Sequence, residues 1–195
     1  VDVRSGKGKV FVFTGPDGSG RKTVADRTGT TLDLHKIISF TTRPPRPGEA
    51  EGQDYHFVPR DLYHQMESSG ELLESVTIGG NRYGLRESDI RDSLERDESI
   101  YLVVNREAAD LLKRMMGERV VRIFIYADRR TVEERQRALG LSDAVIADRL
   151  SRFDYDMGYQ NECELAYENY DLAHTVFDVT KALEGYLDRN LLEKD

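Results

Sequence analysis

A chain with one cysteine, Cys163, cannot close an internal disulfide, and that scarcity points to a reducing compartment such as the cytoplasm. No apolar run approaches the ~18 residues that a membrane-spanning helix needs, so no membrane partner is expected. The histidines, His35, His56, His64 and His174, are scattered without metal spacing, which argues against a zinc site. Positive charge is in deficit: 28 Lys and Arg stand against 36 Asp and Glu, a net charge of −8. That balance argues against a nucleic-acid partner and leaves room only for local basic patches. There is no internal repeat and no low-complexity tract. The polar start, residues 1–8, is no secretory signal and reads as a short arm before the first strand. What remains, 195 residues with 38% hydrophobic content, suits one compact domain spanning 1–195.

The chain is organised around Gly15-Pro16-Asp17-Gly18-Ser19-Gly20-Arg21-Lys22-Thr23. A run of β-formers, 9–14, precedes it and a helix-compatible stretch follows, which is the context of a phosphate-binding loop. The glycines allow backbone N–H groups to turn onto an anion, and the helix start adds unpaired donors and partial positive charge. The pattern G-x-x-x-x-G-K-[ST] is nearly present: Gly15 and Gly20 are correctly spaced, but Arg21 holds the lysine position and Lys22 the hydroxyl position. A one-residue bulge among Asp17, Gly18 and Ser19 would instead bring Lys22 to the phosphates and Thr23 to a metal. Both registers stay open at this point.

Strand-like runs at 9–14, 37–42, 99–105, 119–127 and 174–179 alternate with helical stretches at 87–97, 107–116, 131–138, 143–170 and 181–193. Near-continuous apolar strands between helices predict a doubly wound parallel α/β sheet, with ligands at the carboxyl ends of its strands. Gly29 is expected to interrupt the first helix. Cys163 falls on the long 143–170 helix as a packed side chain, and Tyr155, Tyr159, Tyr167 and Tyr170 form a packing stripe along it.

A second informative stretch is Ser39-Phe40-Thr41-Thr42-Arg43-Pro44-Pro45-Arg46-Pro47-Gly48-Glu49. Prolines hold it extended, so Arg43 and Arg46 project in a fixed geometry, and paired guanidinium forks suit a phosphate. A solvated basic loop is the plainer account. Alternation and turn signals over 52–58 and 71–84 suggest a small β-rich insertion. Glu74 within it is either simply exposed or an acceptor for ligand N–H groups.

Taken together, Ser39, Thr41, Thr42, Arg43, Arg46, Glu49, Gly52, Tyr55 and Phe57, followed by Leu73-Glu74 and Asn81-Arg82-Tyr83-Gly84, resemble the guanylate kinase family over nearly the whole chain. The resemblance implies a core at 9–38, 86–130 and 156–195, a GMP-binding insertion at 39–85 and a helical lid at 131–155. By it, Arg43, Arg46, Tyr55 and Tyr83 hold the GMP phosphate with Glu49 in the same motif. Glu74 accepts from guanine N1–H and N2–H₂, and Ser39 helps at the base. It also implies Gly15, Gly18, Gly20, Arg21, Lys22 and Thr23 around the ATP phosphates and Arg21, Lys22, Arg135 and Arg149 as catalytic cations, while Thr23 becomes a Mg²⁺ ligand only in the slipped register.

The departures from the family lie on the ATP side. Arg21 replaces its lysine, Lys22 its metal-binding serine, and Val103-Val104-Asn105 its D-x-D; Val176 falls at its adenine-side asparagine. A lid arginine falls at Leu139, with Arg137 nearby, and a base-contacting hydroxyl falls at Leu85. Lid arginines close over a phosphoryl group, or else pair with the acids of their own helices. Two functions follow from the resemblance. One is phosphoryl transfer from Mg-ATP to GMP or dGMP with a weakened ATP and Mg²⁺ site. The other is a catalytically silent module binding GMP or a phosphopeptide in the same pocket.

Overall fold

A computed structural model describes residues 6–187. The elements run β1 (Val10–Thr14), α1 (Arg21–Thr31), β2 (His35–Lys36), β3 (Phe40–Thr41), β4 (His56–Phe57), α2 (Arg60–Ser68), β5 (Leu72–Ile78), β6 (Asn81–Arg86), α3 (Glu87–Glu95), β7 (Ile100–Val103), α4 (Arg106–Met116), β8 (Val120–Tyr126), α5 (Arg129–Ala138), α6 (Asp143–Leu150), α7 (Phe153–Met157), β9 (Leu165–Glu168) and α8 (Leu172–Tyr186). The main sheet has the order β2-β7-β1-β8-β9, with every pair parallel. Strand β1, wholly buried, lies at its centre because its side chains are apolar on both faces. Val10 and Val12 pack with Ile90, Leu112 and Phe124 on one face. Phe11 and Phe13 pack with Val24, Ala25, Val179 and Leu183 on the other. The period of two sends alternate residues to opposite layers, and helices cover both.

A second sheet, β4-β3-β6-β5, stands apart from the first. Its antiparallel β5–β6 hairpin carries a register irregularity between Leu72 and Glu74. Phe40, Tyr63 and Met66 form its small core with α2. Helices α5, α6 and α7 gather around a third cluster, Val132, Ile146, Leu150 and Phe153. Among the described residues no helix is long and apolar enough to cross a membrane.

Several sequence expectations are corrected. Residues 174–179, rich in β-branched and apolar types, are not a strand but lie within α8. Asp171 caps that helix by accepting from His174 N at 2.9 Å, and Thr175, Val179 and Leu183 form its buried stripe. The last strand is instead β9, an edge strand. Residues 143–170 are accordingly not one helix: α6 ends at Leu150, α7 at Met157, and β9 follows. The four tyrosines therefore form no stripe. Tyr155 is on α7, Tyr159 is buried after it, Tyr167 is on β9, and Tyr170 is exposed. Cys163 follows a 3-10 turn, half-buried, and burial pushes its thiol up to about 12, which disfavours the thiolate.

Gly29 does not interrupt α1 either. It lies inside the helix, and the position is glycine because a Cβ there would come 2.4 Å from the Tyr101 ring. Of the run 37–42 only Phe40–Thr41 are strand, as β3 of the second sheet, while the main sheet's edge strand β2, His35–Lys36, lies just before the run. Residues 1–5 of the expected arm and 188–193 of the expected last helix fall outside the described residues.

Candidate functional site

The loop between β1 and α1 is shaped by its glycines. Gly15 has φ 138°, and a Cβ there would sit 2.0 Å from Ile125 O on neighbouring β8, so no other residue fits. Gly18 and Gly20 also take positive φ, and Gly20 opens α1 with no side-chain cap. The first-turn N–H groups are thus left for a ligand. Arg21 bends back so that its guanidinium donates to Gly15 O across the loop, and it lines the large cavity beyond. Lys22 turns away from that cavity to an ion pair with Asp54, on the loop after β3. Thr23 is exposed and does not line the cavity. In this structure α1 begins at Arg21 and Arg21 lines the cavity, as the unslipped register expects, whereas Lys22, expected at the phosphates, and Thr23, expected at a metal, do not line it.

The Arg43 and Arg46 segment forms the opposite wall. Arg43 grips Glu49 with both ends of its fork, at 2.7 and 3.0 Å, and its Nε donates to Tyr83 Oη at 3.3 Å. The rings of Tyr55 and Phe57 flank the same guanidinium at 5.2 and 5.8 Å. Glu49 also accepts from Arg46 N at 2.6 Å. Burial works against the Glu49 charge, but the hydrogen bonds from Arg43 and Arg46 outweigh it and hold the carboxyl below its usual range. Glu49 thus aims the two arginines rather than presenting a free carboxylate. Arg46 reaches Asp17 of the glycine loop at 3.5 Å. Burial raises the Tyr55 phenol, against the pull of Arg21, so it stays a neutral donor.

Arg43, Arg46, Tyr55 and Tyr83 line one cavity of about 560 Å³ together with Arg21 and, from the lid, Arg149 and Arg152. Tyr55, Tyr83 and Asn105 continue into a narrower slot lined by Ser39, Glu74, Leu85 and Val104. That slot has about 20 Å³ of free space, room for one water. Glu74 Oε2 is buried there with no partner. Burial first, then the charges of Glu107 and Asp110, push its carboxyl up. Leu85, 1% exposed, makes an apolar wall where a hydroxyl would add a polar contact.

The lid contributes unevenly. Arg149 faces the cavity, and burial together with the like charges of Arg46 and Arg43 lowers its pKa. Arg135 does not line it, because its guanidinium donates to Asn169 O at 2.6 Å. Arg137 pairs with Asp143 at 3.0 Å, and Leu139 is 75% exposed. The plain account of lid arginines, pairing with acids of their own helix, holds for Arg130 with Glu134, whereas Arg137 pairs with Asp143 at the start of the next helix and Arg149 faces the cavity.

Two residues went unread in the sequence. Arg152 enters the cavity and bonds Glu107 at 2.5 Å; its place three residues after Arg149 was the available signal. Asn169, at the end of β9, donates its amide to Ser19 O at 2.9 Å. Val176, expected at a strand end, lies on α8 instead, and the strand end nearest the glycine loop here is that of β9. At the end of β7, Val103 offers no oxygen, and Asn105 caps α4 by accepting from Ala108 N at 2.9 Å.

The guanylate kinase family model matches residues 7–186. A guanylate kinase of Sphingopyxis alaskensis is 35% identical over 149 residues, covering 75% of this chain and 68% of its own. One of Anaplasma phagocytophilum is 30% identical over 184 residues, covering 91% and 87%. A crystal structure of guanylate kinase from Anaplasma phagocytophilum superposes with a TM-score of 0.76 at 26% identity, over 95% of this chain and 89% of that one.

Proposed function

Because this chain belongs to the guanylate kinase family, we propose that it transfers the γ-phosphoryl group of ATP to GMP or dGMP, with a well-built acceptor half and a weakened donor half. An oxygen of the GMP phosphate forms a bond to the γ-phosphorus while the bond to the β,γ-bridging oxygen breaks, and ADP leaves with that electron pair. The protein acts by positioning and charge stabilisation. Arg43, Arg46, Tyr55 and Tyr83 hold the acceptor phosphate. Glu74, as a carboxylate, accepts from guanine N1–H and N2–H₂, an edge adenine lacks, with Ser39 beside it. Arg21 and the glycine-loop N–H groups take the donor phosphates, and Arg149 and Arg152 meet the charge that develops between the two substrates.

The observation that carries this reading is the meeting of three sets of arginines, from the acceptor loop, the glycine loop and the lid, in one cavity that opens onto Glu74. The slot at Glu74 must widen to admit a purine, which fits an insertion that moves when the acceptor binds. Family members typically use Mg²⁺ between protein and phosphates. The residues of this chain do not fit it: Lys22 stands at the hydroxyl position, Thr23 points outward, and the β7 end carries no carboxylate. Among the described residues no three His, Cys, Asp or Glu side chains converge as a metal site. No step is therefore assigned to a metal.

The test is ADP release from ATP plus GMP, against a boiled-protein blank and a GMP-free control. Release that depends on GMP and not on AMP supports the transfer; release independent of GMP sinks it. A second reading, a silent module binding GMP or a phosphopeptide, has the engagement of Lys22 by Asp54 in its favour. GMP binding without turnover, or displacement of GMP by a phosphoserine peptide, would select it.

A further inference from the structure

Resting on the reading that a phosphate donor sits beside GMP, we propose that this chain holds the donor's phosphates with arginines, without a divalent ion bound to the protein. The hydroxyl position of the glycine loop carries Lys22. Its ammonium has no lone pair for a metal, and it is paired with Asp54, whose side chain is 5% exposed. The second oxygen of Asp54 accepts from Ala50 N at 2.6 Å, so the carboxylate is itself engaged on its own loop. Thr23, the next hydroxyl, is exposed outside the cavity. At the end of β7, Val103 has no ligand atom and Asn105 Oδ1 caps α4.

The carboxylates that do line the cavity are mostly matched by arginine. Asp17 pairs with Arg46 at 3.5 Å, Glu107 with Arg152 at 2.5 Å, and Asp156 with Arg152 at 3.6 Å. Asp148 stands exposed on α6 and Glu107 keeps a second oxygen, Oε2, without a partner, but among the described residues no three acids converge as a metal site. The cations converge instead: Arg21 lies over the glycine loop and Arg149 faces Arg46 and Arg43. Burial and these like charges work against Arg149, a tension that an anion between the guanidiniums relieves. Planar forks match terminal phosphoryl oxygens two at a time and need no carboxylate behind them.

The experiment is ATP titration of the wild-type chain by calorimetry and thermal unfolding, in excess EDTA and in excess MgCl₂. The expected result is binding in EDTA, with an affinity within about threefold of that in magnesium. A gain of about tenfold or more on adding magnesium, or no ATP binding in EDTA, overturns the inference. The double variant Lys22→Ser, Val103→Asp returns a hydroxyl and a carboxylate to the two positions. Magnesium should then strengthen its ATP binding about tenfold, while Asp54→Asn, which only breaks the ion pair, should show no such gain. No gain in the double variant, or a gain in Asp54→Asn, overturns the assignment. GMP titrated in both media separates the two failures. Loss of GMP binding sinks the functional reading, whereas magnesium-dependent ATP binding beside intact GMP binding sinks only this inference.

Discussion

The acceptor and donor halves of the cavity use their polar side chains in opposite ways. In the acceptor half, charges brace one another and still face the ligand volume. Glu49 locks Arg43 and the Arg46 backbone, Tyr83 accepts from Arg43, and the aromatic rings fix the guanidinium plane. In the donor half, polar groups at the expected contact positions turn to structural tasks. Lys22 holds Asp54, Asn105 caps a helix, and Arg135 holds the backbone after β9. Arg21, although it donates to Gly15 O, still lines the cavity. Preorganisation by neighbours is what makes a first set of contacts effective, and only one half has it.

The largest expected effect breaks the bracing itself. Arg43→Ala removes the phosphate fork and leaves Glu49 half-buried without its partner, which costs about 3 kcal/mol and more than ~100-fold in GMP affinity. Arg46→Ala, whose side chain pairs with Asp17 at 3.5 Å, should cost about tenfold. Calorimetry with GMP measures both. Equal losses would show that the Glu49 brace confers nothing.

On the donor side, Arg21→Ala should slow turnover by up to about 100-fold, the scale of one transition-state contact, while Lys22→Ala leaves it within a few-fold. The reverse ranking in the coupled ADP assay would return Lys22 to the phosphates and restore the slipped register.

How much of this was legible beforehand follows from the range of the interactions. The glycine loop shows in sequence because a buried strand, tight turns and a helix start are adjacent in the chain. The acceptor motif shows because its spacing sits within one proline-braced segment. The pairing of Lys22 with Asp54 does not show, because it joins two elements that only the fold brings together. Strand β9 was missed because it is a short edge strand, alternately half-buried and exposed, beside a β-branched helix that mimics a strand. With β9 went the contact of Asn169 to Ser19 O, which ties the end of that strand to the glycine loop.

A smaller effect tests selectivity. Glu74→Gln keeps the shape of the slot but offers an amide N–H₂ where guanine also donates, so GMP affinity should fall about tenfold and its advantage over AMP shrink. Unchanged discrimination in paired GMP and AMP titrations would remove Glu74 from the base site.

The smallest effect separates the two carboxylates of the acceptor half by pH. Glu49 lies below its ordinary range, so its stabilising contribution is present above the unfolded pKa and is lost as pH falls through the folded one. Glu74 is raised, and the sign reverses: the folded chain holds the proton more tightly, so the stability linked to this group is present below the unfolded pKa and lost as pH rises through the folded value. GMP pulls the other way on Glu74, because two guanine donors require the ionised form. GMP affinity should therefore weaken as pH falls through the raised pKa, while the ligand-free chain gains stability from the same protonation. The GMP phosphate titrates nearby as well, so the informative quantity is the ratio of wild-type to Glu74→Gln affinity between pH ~4 and ~7. A ratio that stays flat across that span would mean that the buried carboxylate never meets the base.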